Sequence, residues 1–375
     1  MKITIVHPQM AMYGGAERVI VKLTQYLQSR SHQVRILTLS TKSIDDYIGL
    51  DVVTPPLKDR VEYRLRGSIA ALSDISKMYV GLHKLCNEYA IDTDVFNAHN
   101  FPAIWAVPGK YPNVWLCNEV PDLWHRHNIP LFINPLLNSG RWLDREIVRS
   151  KHPDVIVADT NLEKIFEHRY LIHPNVIPYG IDGEFFSSCK HKATTSDFHI
   201  LQPSMISPSK GQHEVLVAVN ALRKRIPGIH ITFAGYMEPN SEYVQALHSY
   251  ICANDLGGIV NFTGLVTREY LRELYSTANV AVFPGRGQGS WLGPFEAVAA
   301  STPIIVSSHL TCSSLIKEQH LGVISDDLTS SILSLYRSYE LWPSILLEHR
   351  NYVLRELTWE KYFTAFERVL LNTTE

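Results

Sequence analysis

Short apolar runs rich in β-branched residues recur along the chain, and longer stretches with apolar residues three and four apart lie between them. In the first half these runs predict strands near 3–7, 34–40, 95–99, 114–118, 155–158 and 176–178. The clearest helix is predicted over 16–30, where Val19, Ile20, Leu23 and Leu27 share one face. Strands and helices in strict alternation make a parallel sheet covered by helices, so the class is α/β. A polar stretch without periodicity, Ser187 to Ser196, then interrupts the pattern. Beyond it the same pattern restarts, with strands predicted near 199–205, 230–234, 260–262, 280–283, 303–307 and 322–324. A last helix is expected over about 359–371.

This repetition predicts two Rossmann-like domains, 1–190 and 197–356, with residues 357–375 packing back on the first. Ligands of such sheets bind beyond the carboxyl ends of the strands, so the active site is expected in a cleft between the domains. Composition narrows the function. The 375 residues are 45% hydrophobic, and 35 Lys plus Arg face 37 Asp plus Glu. A formal charge of −2 supplies no global field for nucleic acid or an anionic membrane. The five cysteines show no C-x-x-C spacing, which argues against a disulfide framework or a zinc site. The first residues do not read as a signal peptide, and no apolar run is long enough to span a bilayer. A cytoplasmic location is expected.

Three segments carry candidate chemistry. Tyr13-Gly14-Gly15-Ala16 joins the first strand to the first helix, where backbone N–H groups make an anion site or the glycines simply permit a tight turn. G-x-G-x-x-G is absent and the second strand ends without a ribose-binding acid, which disfavours nicotinamide. Ser207-Pro208-Ser209-Lys210-Gly211 places an ammonium after a strand, positioned for a diphosphate or for solvent. Phe283 to Ala300 runs strand, glycine-rich loop, helix. There Glu296 is expected in the first helical turn, as a ribose ligand or a cap.

Other features read more plainly. His125-Arg126-His127 lacks a partner with metal-ligand spacing. Arg141, Arg145 and Arg149 recur at helical spacing opposite Leu143 and Ile147; Asp144 and Glu146 dilute that face, which reads as solvated, with lipid phosphates as the second reading. Trp115, Trp124 and Trp142 suit stacking on sugar faces or core packing equally.

The chain resembles the retaining glycosyltransferases of family four, which have the GT-B fold. The resemblance rests on Gly14-Gly15-Ala16-Glu17-Arg18, on Asn175 to Asp182, on Lys210-Gly211, on Phe262 to Val266 running into Leu271 to Ala278, and on Pro294-Phe295-Glu296-Ala297. It implies metal-independent transfer, hexosyltransferase-like, from a nucleotide diphosphate sugar, with no cofactor beyond that donor substrate. It places Lys210, Gln288 and Glu296 in catalytic positions, and Gly14, Gly15, Met205, Leu265, Val266, Arg286, Gly289, Ser290, Trp291 and Leu292 beside the donor. His99, Asn118 and Glu119 fall on the acceptor side. A glycan or lipid-linked acceptor is implied, with peripheral contact at the inner membrane face and no nucleic acid. Two positions depart from the family: Met205 stands where it has arginine, and Gln288 where it has the first of two glutamates. A guanidinium beside a diphosphate contributes about 1.5–3 kcal/mol. Its loss keeps open a second function, a degenerate member that binds nucleotide sugar or glycan and regulates a partner.

Overall fold

The computed structural model describes residues 1–10, 14–41, 49–56, 69–121, 134–188, 196–286 and 291–375. Gln288, Gly289 and Ser290 lie outside them, as do Tyr13, Trp124 and His125 to His127. The chain forms two compact units. One comprises Met1–Ala158, Leu162–Ile177 and Phe363–Glu375, and the other Asp159–Asn161 and Pro178–Tyr362.

In the first unit the strands are β1 (Lys2–Val6), β2 (Gln33–Leu37), β3 (Asp51–Val53), β4 (Val95–His99), β5 (Asn113–Leu116), β6 (Asp154–Val157) and β7 (Asn175–Val176). All pair in parallel in the order β3-β2-β1-β4-β5-β6-β7. The interior strands bury apolar residues on both faces because helices cover both: Ile5, Val6, Val95, Phe96, Val114 and Trp115 are all fully buried. The sequence reading missed β3. It has three residues at the sheet edge, led by exposed Asp51, and is too short to show a period.

The helices here are α1 (Gly15–Ser29), α2 (Ile69–Tyr89), α3 (Ala103–Ala106), α4 (Asn134–Arg149) and α5 (Thr160–Tyr170). The face read from the sequence, Val19, Ile20, Leu23 and Leu27, is the buried face of α1. Phe363, Phe366 and Leu370 of the last helix are buried. Beside them Glu367 accepts from Tyr26 Oη at 3.2 Å and sits 2.9 Å from His32 Nε2.

The second unit holds α6 (Gly183–Ser187), β8 (His199–Pro203), α7 (Gln212–Leu222), β9 (His230–Ala234), α8 (Glu242–Ala253), β10 (Val260–Gly264), α9 (Arg268–Thr277) and β11 (Val280–Phe283). It continues through α10 (Leu292–Ala299), β12 (Ile304–Val306), α11 (Ser313–Glu318), β13 (Val323–Ile324), α12 (Leu328–Arg337) and α13 (Trp342–Glu356), and the last helix, α14 (Trp359–Thr374), begins in this unit and passes into the first at Phe363. Its six strands are parallel in the order β10-β9-β8-β11-β12-β13. Each sheet therefore reverses its strand order once, at β1/β4 in the first unit and at β8/β11 in the second. Connections leave these strand pairs toward opposite faces and open a crevice at their carboxyl ends, the place where open α/β sheets bind ligands.

Candidate active site at the strand-order reversals

In the second unit the segment after β8 runs through Met205 to a short 3-10 turn, Pro208–Lys210, and Gly211 then starts α7. Gly211 has φ +74°, and a Cβ there would stand 3.1 Å from the Pro284 carbonyl oxygen; glycine meets both demands. The segment after β11 crosses just beside it: the Arg286 amide donates to the Ser209 carbonyl at 2.8 Å. Lys210 and Arg286, read from distant parts of the sequence, thus sit on adjoining backbone at the β8/β11 reversal. Lys210 is half-buried and Arg286 exposed.

Two glutamines that the sequence reading passed over hold this corner. Gln202 in β8 donates from Nε2 to the Lys210 carbonyl at 2.6 Å. Gln212, fully buried, donates to the Met205 carbonyl at 3.0 Å and to Ser204 Oγ at 3.2 Å, while its Oε1 accepts the Ser207 amide at 3.3 Å. Buried amides with several partners fix a loop more firmly than its own turn chemistry does. Their one sequence signal is polarity where a strand interior and a helix start favour apolar contacts.

Beside them, Gly235 follows β9, and a Cβ there would stand 2.2 Å from the Ser204 carbonyl oxygen, so no larger residue fits. That approach lets the Ile206 amide reach the Tyr236 carbonyl at 2.8 Å. Met205, Tyr236 and Leu265 consequently follow three adjacent strands with 41%, 42% and 79% of their surfaces exposed. Large apolar side chains left this open at strand ends suit a flat apolar ligand. Val266, next to Leu265, is partly buried.

Glu296 requires a correction. Helix α10 begins at Leu292, so Glu296 is its fifth residue and no acid stands in the first turn. The helix starts a turn earlier than the sequence reading placed it, with Pro294 inside its first turn, where a missing N–H costs nothing. Glu296 is 6% exposed and neither caps the helix nor gains from its first-turn dipole. Trp291 is buried, donates from Nε1 to Asp159 Oδ2 at 3.1 Å and packs its ring against Tyr179 and Phe295. Leu292 is partly buried.

In the first unit the reversal lies between β1 and β4. Glu17 turns back at the start of α1 and accepts the Gly14 amide at 3.0 Å, so the anion at this helix start is the chain's own carboxylate. Gly15 opens the helix. His99 is 1% exposed, with Nε2 2.7 Å from Asn97 Oδ1 and its ring stacked on Phe366. Burial, with His7 nearby, holds its pKa well below the usual 6.5. Asn118 donates to Asn100 Oδ1, and Glu119 is exposed. Trp115 is wholly core, whereas Trp142 is 57% exposed. Among the described residues, one trio with ligand atoms within 4.8 Å of one another, Glu163, Glu167 and His173, lies on and just after α5.

Two α/β units with parallel sheets, each with a crevice at a strand-order reversal, and cations gathered at one of them, define the class: a two-domain transferase of the GT-B type. Consecutive family models match the chain, Glycosyltransferase Family 4 over residues 13–185 and Glycosyl transferases group 1 over residues 186–332. The chain belongs to the family-4-like GT-B glycosyltransferases. It is 30% identical over 115 residues to the O-antigen chain mannosyltransferase RfbU of Salmonella typhimurium, a match covering 31% of this chain and 32% of RfbU. It is 26% identical over 333 residues to glycogen synthase of Mycobacterium tuberculosis, covering 79% and 74% of the two chains. The fold matches sucrose-phosphate synthase from Thermosynechococcus elongatus with TM-score 0.77 at 15% identity, over 99% and 98% of the chains. It also matches HepE of Anabaena, solved in complex with UDP-glucose, with TM-score 0.73 at 15% identity over 99% and 100%.

Proposed function

We propose that this protein transfers a hexosyl group from a nucleoside diphosphate sugar, with retention at the anomeric carbon and without a bound metal, to a glycan or lipid-linked acceptor. The observation that carries the reading is the junction of Lys210 and Arg286 at the β8/β11 reversal, made by the Arg286 amide and the Ser209 carbonyl at 2.8 Å. Two cations on backbone fixed by Gln202 and Gln212 suit a diphosphate whose charge grows as the glycosidic bond breaks. Arg286 then takes the place of the arginine that Met205 lacks. The exposed Met205, Tyr236 and Leu265 suit the base, and Glu296 the ribose, while Gln288 and the amides of Gly289, Ser290, Trp291 and Leu292 serve the sugar and phosphates. HepE supports the nucleotide part of the reading, since its solved complexes hold UDP, and UDP-glucose, on the same fold.

Thermal shift with UDP, GDP and ADP tests the binding step, because a ligand at a hundred times its Kd adds about 2.7 kcal/mol. At least one nucleotide is expected to raise Tm. If none does, the site assignment is wrong. Product analysis of the anomer formed tests retention. A protein that binds nucleotide tightly but turns over no donor with any acceptor tried is the outcome that favours the regulatory reading, which Met205 and Gln288 motivate.

A further inference from the structure

Asp159 lies between β6 and α5, yet the short stretch Asp159–Asn161 belongs to the second unit, and each of its residues is tied there. Thr160 Oγ1 donates to Glu318 at 3.1 Å, and Asn161 Nδ2 to the Thr311 carbonyl at 3.1 Å. Asp159 itself is 2% exposed and accepts from the Trp291 indole at 3.1 Å, a bond that spans 132 residues of chain. An aspartate immediately before a helix ordinarily serves as its cap. A cap needs no partner from a distant loop, so the bond to the indole is a second demand on this side chain.

Trp291 is the residue from which α10 starts. Its ring lies 5.2 Å from that of Tyr179 and 4.5 Å from that of Phe295, and phenylalanine would meet that packing without a donor. The indole N–H adds direction. It holds the first turn of α10 from one side, while Tyr275 Oη donates to the Gly293 carbonyl at 3.2 Å from another. In the same turn Gly293 lies so close to Phe283 that a Cβ would stand 2.8 Å from the ring. The first amides of a helix have no partner within it, and Pro294 has no N–H, so those of Trp291, Leu292 and Gly293 are what this turn can offer a phosphate. Arg286 and Trp291 stand at the two ends of the glycine-rich segment, with four residues between them. The first is held by its amide on Ser209, the second by its indole on Asp159.

We propose that Asp159 is a positioning residue for the donor: by holding the Trp291 indole it sets the first turn of α10 where its amides meet the diphosphate. This role rests on the donor reading, under which those amides bind phosphate, and Asp159 acts through Trp291 rather than on the substrate.

The full chain is titrated with UDP, GDP and ADP, and with the matching nucleosides, which carry no phosphate. For the nucleotide that binds wild type, Asp159→Ser and Trp291→Phe are each expected to weaken the diphosphate about tenfold, the scale of one hydrogen bond to a charged group, and to leave the nucleoside unchanged. Serine keeps the helix cap and phenylalanine keeps the ring, so neither loss reports on those roles. The double variant is expected to be no weaker than either single one, because both remove the same bond. Asp159→Asn, which retains an oxygen acceptor, should restore most of the affinity. Unchanged diphosphate binding in both single variants overturns the proposal, as does an equal loss of nucleoside binding or a double variant whose losses multiply. If Asp159→Ser fails to fold, Trp291→Phe decides alone by the same two ligands. A wild type that binds none of the three diphosphates removes the donor reading and this role together; a wild type that binds one while the variants match it removes this role only.

Discussion

The two strand-order reversals have the same topology and opposite polarity. At β8/β11, buried glutamines turn inward and hold main-chain atoms, leaving Lys210 and Arg286 on the outer side of their loops. At β1/β4, the polar side chains themselves are withdrawn: His99 is buried against Phe366, and Glu17 occupies the amide that an outside anion would use. A shared fold therefore supplies a crevice, while the direction of the buried hydrogen bonds decides whether it presents charge. Asp144 of α4 follows the first pattern: it is 1% exposed and accepts from Trp105 Nε1, Arg169 Nη2 and Tyr170 Oη, each at 2.9 Å.

If inward-facing polar groups build these surfaces, removing them should cost more than removing the charges they present. Asp144→Ala strands Arg169, Tyr170 and Trp105, and breaking a buried pair of this kind is expected to cost about 3–5 kcal/mol in urea unfolding. A loss below about 1 kcal/mol would leave the clamp without support. Lys210→Ala, in contrast, is expected to fold normally and to lower the transfer rate about a hundredfold or more; an unchanged rate removes the lysine from the site.

Next in size is a pH effect shared by both units. In β8, burial and the stacked His230 lower the His199 pKa from 6.5 to about 4, and burial lowers that of His99 as well. Each histidine binds its proton more readily unfolded. Its stabilisation is therefore complete above about pH 6.5 and is lost as pH falls toward the folded value, by about 3 kcal/mol for His199 at pH 4. Unfolding free energy measured across that window should fall with acid, and His199→Gln should reduce the slope; a flat profile contradicts the assignment. The smallest effect expected is a gain. Met205→Arg adds a guanidinium beside the 41%-exposed position and should tighten nucleoside diphosphate binding about tenfold by calorimetry. No change would mean that Arg286 already fills that role.

Much of this architecture was legible from period alone. Six strands of each unit and the start of α1 fall within a few residues of where apolar spacing predicts them, because strands of a parallel sheet are apolar along most of their length. The missed strand, β3, is an edge strand of three residues with little to bury. Glu296 was recognised by its motif but misplaced by a turn, since the start of α10 turns on a backbone choice at Leu292 and Gly293 that residue type does not reveal. Gln202, Gln212 and Asp144 left almost no local mark. The partners of Gln212 lie 5 to 8 residues away and, for Tyr243, 31 away, and those of Asp144 lie 25 to 39 away.

By itself the sequence determined two α/β units, the motifs of a glycosyltransferase family and the identities of the cations, all properties of local pattern and side-chain chemistry. Only the tertiary structure decided which polar groups are buried, which loops meet at a reversal of strand order, and that a carboxylate within a basic helical face points inward. The reason is physical: burial and hydrogen bonding depend on segments that become neighbours only when the sheets assemble, and a one-dimensional spacing holds no record of them.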